Sequence, residues 1–522
     1  MTRPRLDRFE LGSLAALFAL SVAVLAGLLL RVWTQGGVIT GSDGFLVVDQ
    51  MQYLNWLRQA GDHVLVENLY DLDDGPRTFL HPGVLVSGVL HRLGFGVTAA
   101  YMAWKPVAVA ARFAAGVAWT RRFLARRDDR RLALVLALFT ASPVAAFVGW
   151  SGLGDVQDKF RFDFLGNEMW PGNWLWGYLF TALAVALLPL GLLAYERARG
   201  GARRHLLWAA AAGLLCAWLQ PWQGATFAIV LVAAEALARR YEERPLARSA
   251  RDLAVPLAAT ALPLVYYFVL SQTDAAWELA GTANNTDVQP RFPLWILVLG
   301  LAPLGLPALL AYRLPARDFG ELALRVWPVA ALLVYLQPSG TFPFHAFQGL
   351  ALPLAVLALL AVRARLAERP LPLLPSLAAA ALLIVPGTLY NGDQMRDAIN
   401  KGFQAHFMEP GERDALRHLD EAEEPGGVLA PAYLGTAVPA YTGRETWTGA
   451  GSWTPDFVER SRQAVSLFEG ELPRPAAEAL VRRSGARFLF SDCHDRADVT
   501  ALLARVAEPP RRFGCATVWR VR

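Results

Sequence analysis

The sequence predicts an α-helical polytopic membrane protein of about eleven transmembrane helices, ending in a small extracytoplasmic α/β domain. Three observations carry that expectation. Of the 522 residues, 54% are hydrophobic and 18% charged, with mean hydropathy +0.31, where a soluble domain carries about a quarter charged residues. Charge-poor apolar runs long enough to cross about 30 Å of hydrocarbon recur from residue 11 to residue 390. Basic and acidic connections alternate along the chain, the pattern that orients membrane segments. Three cysteines exclude a disulfide-built scaffold.

The first apolar run, 11–33, follows Arg3, Arg5 and Arg8. It exceeds the apolar core of a signal peptide and lacks a small-x-small cleavage site, so it reads as a retained helix. Further runs lie at 97–118, 132–150, 174–195, 205–219, 223–241, 253–271, 293–312, 323–337, 347–362 and 371–390. The stretch 82–95 is apolar but short and contains His91-Arg92, which suits a helix lying in the membrane interface. Only Gln220-Pro221-Trp222-Gln223 joins 205–219 to 223–241, so a discontinuous or re-entrant pair is expected there.

One alternating set of connections holds Arg121, Arg122, Arg126, Arg127, Arg130 and Arg131, then the arginines of 197–204, 239–251, 313–325 and 363–369. The other set is acidic; its first loop carries Asp43, Asp49, Asp62, Glu67, Asp71, Asp73 and Asp74. The arginine-rich set is therefore cytoplasmic, the N-terminus is cytoplasmic, and the C-terminal domain lies outside a bacterial cytoplasmic membrane. The net charge of +5 is thus a topology signal. Nucleic-acid binding needs a contiguous basic face, and arginines divided among short loops do not make one.

At about Asn391 charged residues and turn signals replace the apolar runs, dividing the chain into a membrane domain, 1–390, with a long first outer loop, 34–96, and an outer domain, 391–522. The latter shows an apolar run at 427–430, helical periodicity over 456–468 and 475–484, and strands at 487–491 and 516–521. Cys493 and Cys515, both outside, are a candidate disulfide between the last two strands. Asn284-Asn285-Thr286 matches a glycosylation sequon. The stretch 447–460 has either the character of a carbohydrate-facing loop or that of a turn and capped helix.

Chemistry is expected in the first outer loop, which is longer than most connections in a compact domain and rich in aromatic residues. Met51, Leu54 and Leu57 mark a helix from Asp49 to Ala60, with Asp49 and Tyr53 on one face. A carboxylate there suits a general base acting on a hydroxyl from the aqueous side; a helix N-cap is the alternative use of Asp49. In the second outer loop, Asp155 and Asp158 are candidate ligands of a divalent metal. Lys159 and Arg161 between and beside them offer ion pairs or phosphate contacts instead. Lys105 and Arg112 share one face of the second span, and charge at that depth reads as functional or as paired. His345 stands at the outer end of the tenth span.

These features, a long acidic outer loop after the first helix, an aspartate followed by tyrosine four residues on, an interfacial helix, about eleven spans and an outward C-terminal domain, together resemble the GT-C superfamily of integral-membrane glycosyltransferases. That superfamily includes protein mannosyltransferases, aminoarabinose transferases and oligosaccharyltransferase catalytic subunits. The resemblance implies transfer of a sugar, with inversion, from a polyprenyl-phosphate donor to a glycan, lipid or protein acceptor outside the membrane. It also implies a first-loop carboxylate as base: Asp49 matches best and Asp43 is the runner-up, with Tyr53, Lys105, Arg112, Asp155, Asp158, Lys159, Arg161 and His345 as candidate donor contacts. The paired acids that many members carry in this loop are absent, since Gln50 follows Asp49. Leu219-Gln220-Pro221-Trp222 and 347–354 also look like features of bacterial GT-C-like proteins. A lipid-linked-glycan transporter or flippase, a surface-polysaccharide polymerase or ligase, and a catalytically silent scaffold are the competing functions. Transporters commonly show paired half-repeats, and none is visible here.

Overall fold

The computed structural model describes residues 6–73, 75–285, 290–337, 341–367, 369–402, 404–494 and 497–522. The chain opens with α1 (Arg8–Gln35), strand β1 (Val38–Ile39), α2 (Val47–Gln59), α3 (Pro82–Arg92), α4 (Val97–Met102) and α5 (Trp104–Phe123). There follow α6 (Arg127–Phe139), α7 (Pro143–Ser151), α8 (Val156–Met169), α9 (Pro171–Gly177), α10 (Leu179–Arg199), α11 (His205–Leu219) and α12 (Pro221–Ala238). Next come α13 (Leu246–Thr273), α14 (Ala275–Ala283), α15 (Leu294–Leu310), α16 (Phe319–Tyr335), α17 (Ala351–Leu366) and α18 (Leu373–Lys401). The last stretch holds β2 (Phe407–Met408), α19 (Pro410–Glu421), β3 (Val428–Leu429), α20 (Ala432–Gly435), α21 (Val438–Thr442), α22 (Phe457–Phe468), α23 (Arg474–Ser484), β4 (Phe488–Ser491), α24 (Thr500–Leu503), β5 (Arg511–Phe513) and β6 (Ala516–Arg520).

Helices occupy every apolar run that the sequence marks as a span. Among the described residues six of them, α1, α10, α12, α13, α15 and α18, are each long and apolar enough to cross a membrane. The pair α6 and α7, bent by 46°, passes the same test only when taken together, as a broken span or a re-entrant loop. The break follows from local chemistry: Ser142 caps α7 by accepting from Ala145 N, and Pro143 takes its first position, where a missing N–H costs nothing. The same device starts α12 at Pro221 directly after extended Gln220, so α11 and α12 are parted by one residue.

The described residues fall into two compact units. The first takes residues up to Ala23, Trp104–Phe268 and Asn285–Arg396. Its core holds Trp119, Tyr195, Phe227, Phe319 and Trp327. Small residues let helix backbones meet there, as membrane bundles require: a Cβ on Gly191 would lie 2.9 Å from the Ala212 methyl. Arginines near the helix ends pair with acids. Arg199 Nε stands 2.6 Å from Glu235, and Arg363 donates through Nε at 2.7 Å to Asp129.

The second unit comprises Val24–Ala103, Val269–Asn284 and Asp397–Arg522. Its sheet runs in the order β3-β4-β6-β5, with β3 parallel to β4 and the other pairs antiparallel. Leu429, Leu467, Phe468, Leu480, Leu489 and Trp519 form the core beside it. Cys493 and Cys515 are bonded, joining the segment after β4 to the turn between β5 and β6. A small antiparallel ladder pairs Val38 with Met408 and so ties the first long loop to the segment that follows α18. In the same unit α3 packs on α2, and a Cβ on Gly88 would overlap the Ala60 carbonyl group. Gly88→Val is therefore expected to destabilise the protein by at least about 1–3 kcal/mol, read as a lower thermal midpoint in detergent. An unchanged midpoint would mean that α3 moves freely off α2. Of the sequon, Thr286 lies outside the described residues.

Candidate functional site

In the second unit, α2 forms because Met51, Leu54 and Leu57 bury one face. Its N-cap is Leu46, which makes no side-chain cap, and Asp49 sits in the first turn. Asp49 is thus not the N-cap of α2. It is half-buried, as is Tyr53 one turn on, and Trp56 continues the same face. Burial raises the Tyr53 phenol above its ordinary range, and the Asp49 charge adds to the effect; Tyr70 is raised by burial and by Asp49 as well. Two phenols therefore stand within electrostatic reach of one carboxylate and keep their protons.

Aromatic rings surround this face. Tyr53 stacks on Tyr101 at 5.8 Å, and Trp56 meets Phe79 at 4.4 Å and Trp453 at 5.4 Å. Trp277 closes the group at 5.2 Å from Trp453. Trp453 belongs to the stretch that the sequence leaves between a carbohydrate-facing loop and a turn. It is both a turn residue and part of this cluster, while Asp456, at the N-cap of α22, makes no cap hydrogen bond.

Asp43 is fully buried. Gln50 Nε2 donates to its Oδ1 at 3.2 Å, and Gln50 Oε1 accepts from the backbone N–H of Asp43 at 3.0 Å and of Gly44 at 2.7 Å. The residue that stands where a second acid was expected therefore organises the turn before α2. A carboxylate in its place has no proton to give Asp43.

His81 caps α3, its Nδ1 accepting from Val84 N at 3.2 Å, and burial pushes its pKa down to about 3. An unfolded histidine titrates near about 6.5. The unfolded chain therefore takes the proton first, so the stability from this site is complete above about pH 6.5 and declines as the pH falls toward 3. Thermal midpoints are expected to drop across that window, and His81→Asn, which retains a capping acceptor, should flatten part of the drop. Equal pH profiles would remove His81 from the acid sensitivity.

In the first unit, Lys105 is 3% exposed and donates to the carbonyls of Ser21 at 3.0 Å, Leu175 at 2.5 Å and Trp176 at 3.4 Å. Its ammonium ties the middle of α1 to the end of α9. Arg112, two turns further along α5, is buried with its guanidinium 5.4 Å from the Trp174 ring, and its Nε and Nη1 have no hydrogen-bond partner among the described residues. Asp155 caps α8 by accepting from Asp158 N at 2.7 Å, and Asp158 pairs with Arg161 at 3.2 Å, while Lys159 is half-buried beside them. The two aspartates are thus engaged by a helix end and a cation, and no group of three metal-ligating side chains occurs among the described residues.

His345 lies in a single turn, Pro343–Phe347, before α17. Its Nδ1 is 2.9 Å from Glu168 Oε2, and Gln348 Nε2 donates to the same oxygen at 2.7 Å. Gln220 Nε2 donates to Gln348 Oε1 at 2.7 Å, and Gln223 Nε2 to the His345 carbonyl at 2.9 Å. Sequence reasoning missed Glu168, Gln223 and this convergence. It had marked Gln220 and Gln348 only as parts of two stretches without derivable chemistry.

The comparisons were made on this geometry. Neither the family models nor the curated proteins yielded a match. Among solved structures, ArnT from Cupriavidus metallidurans bound to undecaprenyl phosphate is similar at TM-score 0.54 and 13% identity, covering 98% of this chain and 97% of that one. The archaeal oligosaccharyltransferase AglB from Archaeoglobus fulgidus, in complex with an inhibitory peptide and a dolichol-phosphate, is similar at TM-score 0.53 and 16% identity, covering 93% and 69%. The apo form of the Archaeoglobus fulgidus enzyme gives TM-score 0.54 and 15% identity over the same shares.

Proposed function

We propose that this chain, whose fold is that of the GT-C membrane glycosyltransferases, is itself a glycosyltransferase that moves a sugar from a polyprenyl-phosphate carrier to an acceptor hydroxyl or amide outside the cytoplasmic membrane. The observation that carries the reading is Asp49, a half-buried carboxylate in the first turn of α2 whose charge reaches two phenols that keep their protons. Asp49 takes the acceptor's proton as its oxygen or nitrogen attacks the anomeric carbon. The bond from that carbon to the phosphate oxygen breaks, and the electron pair leaves with polyprenyl phosphate, inverting the anomeric centre. Asp43 is less suited to the role, because its burial and its contacts with Gln50 keep it from an acceptor.

Among the basic candidates Arg112 has donors to spare for a phosphate, whereas Lys105 already serves three carbonyls. Lys159 and Arg161 are secondary phosphate contacts, and a divalent metal at Asp155 and Asp158 is not needed by this scheme. Residues 1–390 form the membrane part and 391–522 the outer domain, with the arginine-rich connections facing the cytoplasm. The test is a transfer assay on purified protein in detergent, offering a panel of polyprenyl-phosphate sugars with membrane-extracted glycan acceptors. Donor binding without turnover, equal in wild type and Asp49→Asn, would favour a transporter or a silent relative.

A further inference from the structure

The His345 turn is built at a cost. Phe342, the residue that enters it, has φ 41°, a left-handed conformation that costs a non-glycine residue about 1–3 kcal/mol and clusters at functional sites. Its ring lies over the imidazole at 5.3 Å and 20°, while Trp222 meets the imidazole edge-on at 4.8 Å and 84°. All three rings are partly exposed. Behind them the chain from Glu168 through Gln348 to Gln220 is buried and joined by side-chain hydrogen bonds. Such a network holds one arrangement and resists repacking.

The hydrogen bonds determine what the turn offers a ligand. Two groups face His345 Nδ1: Glu168 Oε2 at 2.9 Å, which as a carboxylate only accepts, and Gln348 Nε2 at 3.1 Å, which only donates but already gives a proton to the same Glu168 oxygen at 2.7 Å. The shorter contact, to the carboxylate, is satisfied with the ring proton on Nδ1, and the lone pair of the neutral ring then stands on Nε2. Nε2 has no hydrogen-bond partner among the described residues. Next to it, Gln223 donates through Nε2 to the His345 carbonyl, which fixes its amide orientation. That leaves Gln223 Oε1, on a residue with no exposure, without a partner among the described residues. Through Nε2 of the partly exposed imidazole the turn therefore offers an acceptor beside aromatic rings, while Gln223 holds the turn from its buried side. A phosphate ester presents no donor to such a group; a sugar presents hydroxyl donors and C–H faces that pack on rings.

We propose that His345 Nε2 accepts a hydrogen bond from a sugar hydroxyl in a subsite walled by Trp222 and Phe342, with Glu168 as a positioning residue that holds the imidazole in the accepting tautomer. This role differs from the donor-phosphate contact that the sequence suggests for His345. The identity of the sugar as part of the donor or acceptor rests on the transferase reading, but the subsite itself does not.

The experiment uses the full chain in detergent and two sets of probes: methyl hexosides with their monodeoxy analogues, followed by saturation-transfer NMR, and polyprenyl-phosphate sugar against bare polyprenyl phosphate. His345→Phe keeps a ring for Phe342 to cover and removes the acceptor. It is expected to weaken the preferred hexoside and the sugar-bearing lipid about tenfold, the worth of one hydrogen bond, and to leave bare polyprenyl phosphate unchanged. One deoxy analogue should lose the same factor on wild type and nothing on His345→Phe. Glu168→Gln is expected to give a smaller loss with the same deoxy signature, which a purely structural role would not produce. If His345→Phe fails to fold because Glu168 then faces an apolar ring, the pair Glu168→Leu with His345→Phe removes both polar partners and is measured instead. Hexoside binding without any polyprenyl lipid binding would support the subsite and overturn the transferase reading. Equal hexoside affinity in wild type and variant, or equal weakening of sugar-bearing and bare lipid phosphate, would overturn the subsite.

Discussion

Asp49→Asn is expected to lower sugar transfer by about 10²–10⁴-fold, the contribution of a positioned general base. The substitution keeps the shape and polarity of the side chain. Leu46 and not Asp49 is the N-cap of α2, and Asn keeps a polar side chain in the first turn, so membrane insertion should persist and stability should stay within about 1 kcal/mol of wild type. Asn cannot take the acceptor's proton, whereas donor binding should persist. Loss of turnover with intact lipid binding is the expected signature. Retained turnover would remove Asp49 from the mechanism, and Asp43→Asn would then be measured, with the difference that its contact with Gln50 makes a folding defect the expected result there.

The largest stability loss is expected at Glu235. Its side chain is 2% exposed, receives Arg199 Nε at 2.6 Å and the Tyr195 hydroxyl at 3.2 Å, and has Arg244 at 3.9 Å. Both arginines are themselves more than nine-tenths buried. Glu235→Leu leaves buried positive charge without its counter-charge, which costs about 3–5 kcal/mol. Arg199 keeps Glu242 at 2.9 Å and Arg244 keeps Asp252, so the loss should fall at the lower end of that range. Thermal unfolding in detergent reads it directly. The exposed pair Arg462 and Glu459 is the control, where Glu459→Leu should leave the thermal midpoint nearly unchanged because water screens it. Equal midpoints for the two variants would mean that water reaches Glu235 in the folded protein.

The first-loop helix was legible because apolar spacing at Met51, Leu54 and Leu57 has only one explanation in a polar loop. That Asp49 and Tyr53 share a face was legible too, since they stand one turn apart. The role of Gln50 was not. Read as a missing second acid, it is a donor and acceptor in one side chain, and that use appears only when the turn from Gly41 to Gly44 folds back on α2. Lys105 illustrates the same gap. Its charge at membrane depth signalled a function, but the carbonyls that receive it come from residues 84, 70 and 71 positions away. Asp155 and Asp158, three residues apart, suggested a cation site, and a helix start accounts for that spacing equally well.

By itself the sequence determined the helical membrane class, helices at the apolar runs, the presence of a small C-terminal sheet and the face of α2 that Asp49 and Tyr53 share. These follow from composition and from periods of 3.6 and 2, which neighbouring residues carry among themselves. Only the tertiary structure decided that Asp43 is enclosed, that Lys105 is spent on carbonyls, and that Glu168, Gln220, Gln223, Gln348 and His345 converge. The reason is physical: hydrogen bonds between side chains depend on distance and direction in space, and residues up to 180 positions apart meet there without leaving any pattern along the chain.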